Sequence, residues 1–100
     1  MPVPTDFDFF YLSYSGISLP LKLVSPIDAA STQNRNTFFA EKQNADGLSI
    51  EIAKFTYGEM DLLHKYIYDE SGMIVKAEIT DGEGEIQHFS FDSQGRPYPV

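Results

Sequence analysis

The chain has 100 residues, none of them cysteine or tryptophan, and only seven basic residues stand against fifteen acidic ones. Without cysteine there is no disulfide framework, no thiolate nucleophile and no thiolate metal site. No apolar run approaches the ~20 residues that cross a bilayer as a helix. The opening stretch Met1–Asp6 lacks the basic and apolar regions of a secretory leader. These lacks favour the cytoplasm. A net charge of -8 is repelled by phosphate backbones and anionic lipid, which argues against direct nucleic-acid or membrane binding. No glycine-rich loop precedes a helical pattern, and no serine sits in a strand–turn–helix elbow. A phosphate loop and a hydrolase triad are therefore not expected.

What the chain does have is a repeated corner. Asn44-Ala45-Asp46-Gly47, Asp69-Glu70-Ser71-Gly72, Asp81-Gly82-Glu83-Gly84 and Asp92-Ser93-Gln94-Gly95 all read Asx-x-x-Gly. The Asx side chain can bond the backbone ahead of it, and the glycine accepts the left-handed conformation that closes a short hairpin. Segments rich in β-branched and aromatic residues separate the corners. One domain over 1–100 is expected, an all-β antiparallel meander of seven to eight strands. The strands fall near 7–14, 17–24, 37–43, 48–56, 61–68, 73–79, 85–91 and 96–99. Pro97 and Pro99 assign the last one to an edge. Ser15-Gly16 suggests a tight hairpin pairing Phe10 with Leu21 and Leu12 with Leu19, and Ile27–Ala30 suggests one helical turn. The N-terminal hairpin is expected to close the sheet into a small barrel or sandwich, or to lie across it.

Treating each corner as a four-residue loop sets a register. His64 then faces Ala77 and Ala77 faces His88, so that Leu62, His64, Tyr66, Tyr68, Met73, Val75, Ala77, Ile79, Ile86 and His88 share the core face. The opposite face carries Ile67, Ile74, Phe89 and Phe91, an apolar row and candidate contact surface. Strand 48–56 breaks its alternation between Ile52 and Ala53, which predicts a bulge near Ile52–Phe55 or an extra residue in the Tyr57-Gly58-Glu59-Met60 turn.

Two resemblances follow from these residues. Tyr66-Ile67-Tyr68-Asp69-Glu70-Ser71-Gly72 and Phe89-Ser90-Phe91-Asp92-Ser93-Gln94-Gly95-Arg96 are similar to the YD repeats of large shell-forming toxins. Tyr11–Gly16 with Leu19-Pro20-Leu21, then Asn34–Thr37, then Tyr57-Gly58-Glu59 with Leu62 and His64, resemble a family of small uncharacterised bacterial proteins catalogued as a domain of unknown function. That likeness spans roughly residues 10–80 and implies no activity, cofactor or catalytic residue.

Residues 1–50 carry five acids and three bases, whereas residues 51–100 carry ten and four. The leading expectation is a non-enzymatic, cofactor-free module that docks onto another protein with a basic surface, in the manner of small inhibitors and immunity proteins. Asp69, Glu70, Asp81 and Glu83 would supply the acidic part of that surface. A homodimer would also cover the apolar row. The alternative is a small-molecule or metal-binding barrel with His64, Tyr66 and His88 inside, although two histidines without a nearby carboxylate make a poor zinc set. Arg35, between Asn34 and Asn36, is either a functional loop residue or, the favoured reading, half of an ion pair to Glu59.

Overall fold

The computed structural model describes residues 7–16 and 19–100, with Asn34 described by its backbone alone. Eight strands form one antiparallel sheet: β1 (Phe9–Ser15), β2 (Lys22–Ile27), β3 (Thr37–Gln43), β4 (Ser49–Thr56), β5 (Glu59–Tyr68), β6 (Ile74–Asp81), β7 (Ile86–Phe91) and β8 (Pro97–Pro99). Their spatial order is β2-β1-β3-β4-β5-β6-β7-β8, so the sheet stays open and does not close into a barrel. The N-terminal hairpin extends the sheet beside β3 and does not lie across it. The chain returns from the outer strand β2 to β3 through a 3-10 helix, Ala29–Asn34, capped by Asp28 Oδ1 accepting from the Ser31 N–H at 2.9 Å. The helical turn begins two residues later than the sequence suggests, because Ile27 belongs to β2 and pairs with Phe10.

All four Asx corners close the same way. In each, the Asx Oδ1 accepts the backbone N–H groups two and four residues ahead, as Asp81 does from Glu83 (2.9 Å) and Glu85 (3.0 Å). The corner glycines hold φ between 81° and 87°, the left-handed region open to glycine without steric cost. The Asx N–H also reaches the carbonyl four residues on, as in Asp81 to Glu85 at 3.0 Å. The loop therefore has three residues, a type I turn plus a glycine bulge, and not four.

That one-residue difference corrects the register. Between β6 and β7, Ala77 pairs with Phe89 and Glu78 with His88, so every β7 side chain changes face relative to the expectation. His88 and Ile86 leave the core face, while Phe89 and Phe91 join it. Between β5 and β6 a bulge at Val75, opposite Tyr68, adds a second offset, which restores the expected faces from Lys76 onward, turns Ile74 to the core face and pairs His64 with Ile79 and Tyr66 with Ala77. The apolar row of Ile67, Ile74, Phe89 and Phe91 is thus broken up. Ile74, Phe89 and Phe91 pack into a core, and only Ile67 stays exposed on the other face, at 56%.

The sheet carries a core on each face. Phe10, Phe38, Ala40, Ala53 and Phe55 form the first, beneath Phe7 and Ile27. Phe39, Ile52, Tyr66 and Ala77 form the second, against Leu19, Leu21 and Phe89 among others. We call these the Phe face and the His face, the latter for His64. Two cores explain the broken alternation of β4, where Ile52 is buried on one side and Ala53 and Phe55 on the other. The bulge expected there is present, with the register shifting between Lys54 and Phe55 and Asp61 as the extra residue on β5.

The first hairpin pairs Phe10 with Ile27 and Tyr14 with Leu23, not Phe10 with Leu21. Its connection is wide because Leu19 and Leu21 fold inward onto the His-face core, where their burial favours the longer loop. Residues 17 and 18, the start of the expected 17–24 strand, lie outside the described residues, as does Met1–Asp6.

Both edges are blocked. Hydrogen-bonded pairs alternate along β7–β8, from Asp92/Arg96 to His88/Val100. Pro97 and Pro99 therefore occupy the positions whose nitrogens point away from the sheet, and there they offer no donor to another strand. At the far edge β2 is interrupted by Pro26 and by Ser25 at φ 62°. Among the described residues no helix is long and apolar enough to cross a membrane.

Candidate functional site

Two places gather unusual groups, one on each face. On the His face, a row runs straight across the strands from Glu41 on β3 through Ile52 on β4 to His64 on β5. His64 is 5% exposed. Its Nδ1 lies 2.7 Å from the Tyr66 hydroxyl, which also accepts the Leu21 N–H at 3.2 Å. Burial pushes the Tyr66 hydroxyl well above its usual 10.0, so it keeps its proton. Among the described residues the hydroxyl proton has no other acceptor, so we assign it to His64 Nδ1, which leaves the imidazole hydrogen on Nε2. Burial also lowers the His64 pKa from 6.5 to about 4, so the ring is neutral at pH 7.

A cleft of ≈ 320 Å³ opens beside this ring, lined by Tyr14, Leu19, Leu21, Phe39, Lys54 and Leu62 along with His64. On the other side of Ile52, Glu41 is 7% exposed. Its carboxylate accepts from Tyr11 (3.2 Å), Gln43 Nε2 (2.9 Å) and Ser49 Oγ. Tyr68 caps the cluster by donating to the Ser49 carbonyl at 2.6 Å. Burial and the neighbouring Glu41 charge raise the Tyr11 pKa above 10.0.

The His64 shift has a pH consequence with a definite sign. Below 6.5 the unfolded chain takes up a proton that the folded chain refuses until about pH 4. Stability is therefore complete above pH 6.5 and falls as the pH drops from 6.5 to 4. After allowing for water reaching Nε2 through the cleft, we expect a loss of about 2 kcal/mol. Urea unfolding at pH 7 and pH 4.5 measures it, and His64→Phe should flatten the dependence across that interval. Asp69 and Asp92, whose pKa values are lowered chiefly by hydrogen bonds from Ser71 and from the Arg96 backbone, lose their contributions only below 3.8.

On the Phe face, the half not covered by Phe7 and Ile27 carries a second row. Glu51, Lys65, Glu78 and His88 stand directly opposite one another on β4, β5, β6 and β7. The charges of Glu51, Lys65 and Glu78 alternate in sign. Ile67, Lys76 and Ser90 form the next row. Together with Ile50 and Val100 these residues line an open groove of ≈ 740 Å³.

The structure brings His64 and Tyr66 together, and places His88 on the opposite face, 24 residues and two strands away. A shared metal between the histidines is thereby removed, and among the described residues no cluster of three metal-ligating side chains exists. A meander sends alternate corners to opposite ends, so Asp69 and Glu70 sit at one end of the sheet, Asp81 and Glu83 at the other. Asp69 and Asp81 are also spent in part on their own corners. Arg35 is exposed and its backbone N–H bonds the Thr32 carbonyl; the expected ion pair to Glu59 does not form. Asn36 instead ties the loop to the sheet, its carbonyl accepting the Tyr57 N–H at 2.7 Å. The Asn34 side chain lies outside the described residues. Sequence reasoning missed Glu41 and Lys54. The signal for Glu41 was a lone carboxylate directly after the apolar run Phe38-Phe39-Ala40 in a central strand.

Over residues 5–99 the chain matches the model of a family of unknown function (DUF6156), and it belongs to that family. No curated protein and no solved structure matches it.

Proposed function

For this member of the family we propose a non-enzymatic protein-binding module that seats a partner protein against the open half of the Phe face. The observation that carries the reading is the groove that the described residues leave uncovered, with its cross-strand row Glu51–Lys65–Glu78–His88 and exposed Ile67 beside it. A bare sheet face with apolar residues between charges is surface that a partner can desolvate. Glu51 and Glu78 are offset by Lys65 and by Lys76 in the next row, while the corners at both ends of the groove are acidic, with Asp69 and Glu70 at one end and Asp81, Glu83 and Glu85 at the other. The partner this fits presents a contact segment with an apolar middle and basic ends. Strand addition is a poor alternative mode, because prolines occupy both sheet edges. Size and acidity are those of small inhibitors and immunity proteins, and the cysteine-free composition fits a cytoplasmic setting.

The test places a photo-crosslinking side chain at Ile67 and, as control, at Tyr14 on the His face, in the native host. One discrete adduct is expected at 67 and none at 14. Once that partner is purified, Glu70→Lys with Glu83→Lys should slow its association about tenfold at low salt. Adducts at both positions, none at either, or an association rate indifferent to the reversal would sink the proposal.

A further inference from the structure

The cleft on the His face carries two polar groups that have no partner among the described residues. His64 Nε2 makes no hydrogen bond among the described residues, although the ring is buried and its Nδ1 is engaged. Lys54 lines the same cleft, half-buried between Phe39 and Leu62, which stand directly opposite it on the flanking strands. No ion pair to Lys54 exists among the described residues. Asp81 is the next residue in that row beyond Leu62, ~10 Å away by two ladder spacings. Its Oδ1 is held by the corner backbone. An ammonium between apolar walls with no counter-ion is under-compensated.

Lys54 and His64 are diagonal neighbours on one face, Lys54 pairing with Leu62 and Ile52 with His64. Diagonal neighbours lie ~7–8 Å apart, a spacing over which long side chains still interact. One carboxylate can accept from a cation and an N–H donor placed this way. We infer that this cleft binds a small monocarboxylate with an apolar body, its carboxylate between Lys54 Nζ and the His64 Nε2–H and its body among Leu19, Leu21, Phe39 and Leu62. A neutral imidazole suits the role, since it donates without adding charge. One fixed cation matches one negative charge, and a phosphate dianion would leave the second charge uncompensated in a mainly apolar site. The volume of ≈ 320 Å³ is at the small end for ligand clefts, which limits the ligand to roughly ten heavy atoms.

Phenylacetate is a suitable probe and 2-phenylethanol its neutral control. Titrated into isotopically labelled protein to about 10 mM, well above a millimolar Kd, phenylacetate should give saturable shifts at Leu21, Phe39, Lys54, Leu62 and the His64 side chain. The alcohol should bind at least about tenfold more weakly, as should phenylacetate to Lys54→Met, because each lacks the charge-assisted bond. Methionine keeps an unbranched apolar stem between Phe39 and Leu62, so Lys54→Met keeps its fold, which thermal unfolding verifies. Absence of saturable shifts, equal binding of the alcohol, undiminished binding to Lys54→Met, or shifts gathered around Ile67 would each overturn the assignment. The site is independent of the docking groove, which lies on the other face.

Discussion

Replacing Glu41 by alanine should cost about 3 kcal/mol of stability, since it strips the acceptor from three donors at once. Tyr11, Gln43 and Ser49 all point at this carboxylate from β1, β3 and β4, and it sits 7% exposed in a central strand. Each donor left without a partner forfeits ~1 kcal/mol, because none is so open that water replaces the bond fully. Glu41→Gln is the informative companion. Its amide oxygen still accepts from Tyr11 and Gln43, and its NH2 can donate to the Ser49 hydroxyl, so the loss should stay near 1 kcal/mol. The two variants also separate charge from bonding at Tyr11. Burial is the first cause of its raised pKa and the Glu41 charge the second, so Glu41→Gln should bring the Tyr11 titration part of the way back toward 10.0. Urea unfolding and a spectrophotometric tyrosine titration check both. Equal destabilisation by alanine and glutamine would mean that the carboxylate's charge, and not its hydrogen bonds, holds the three strands.

The chain's alternation and corners were legible because they obey local chemistry. Asx Oδ1 takes the N–H groups ahead of it wherever Asx-x-x-Gly occurs, and each such corner starts a new strand. What escaped was parity. Whether a corner holds three residues or four depends on whether the Asx N–H bonds the residue after the glycine, and the letters alone are the same in both cases. In a meander such offsets accumulate. One at Asp81 moved His88, Phe89 and Phe91 to the wrong faces, whereas the bulge at Val75, opposite Tyr68, happened to cancel its predecessor. The second core was hidden for a related reason. A strand buried on both sides reads as continuous apolar sequence, so Ile52-Ala53 resembled a phase flip within one face. Lys54 was unreadable as a site residue because its significance lies in what surrounds it: Phe39 and Leu62 at its sides and a buried imidazole on the diagonal. Those neighbours come from the two flanking strands, β3 and β5, and no sequence spacing ties Lys54 to them.

Ile52→Ala tests how far the His-face site depends on dryness. Ile52 is the largest side chain that is fully buried among the described residues, at 1% exposure, and it separates the Glu41 cluster from His64 in one cross-strand row. Truncation to alanine should destabilise the protein by about 3 kcal/mol, the transfer term plus a cavity between two polar groups. A cavity walled by leucines and phenylalanines stays empty, but this one would have a carboxylate on one side and an imidazole on the other, which is the setting in which water enters. Hydration acts on the cause of the His64 shift, since burial is what holds that pKa at about 4. The His64 pKa should therefore climb toward 6.5, and the loss of stability between pH 6.5 and 4 should shrink. Side-chain NMR of His64 reads the first effect and urea unfolding at two pH values the second. If Ile52→Ala lowers stability by the expected amount while His64 still titrates near 4, the imidazole owes its neutrality to Tyr66 and its own strand rather than to the apolar spacer. The carboxylate-binding role would then survive a poorly packed core.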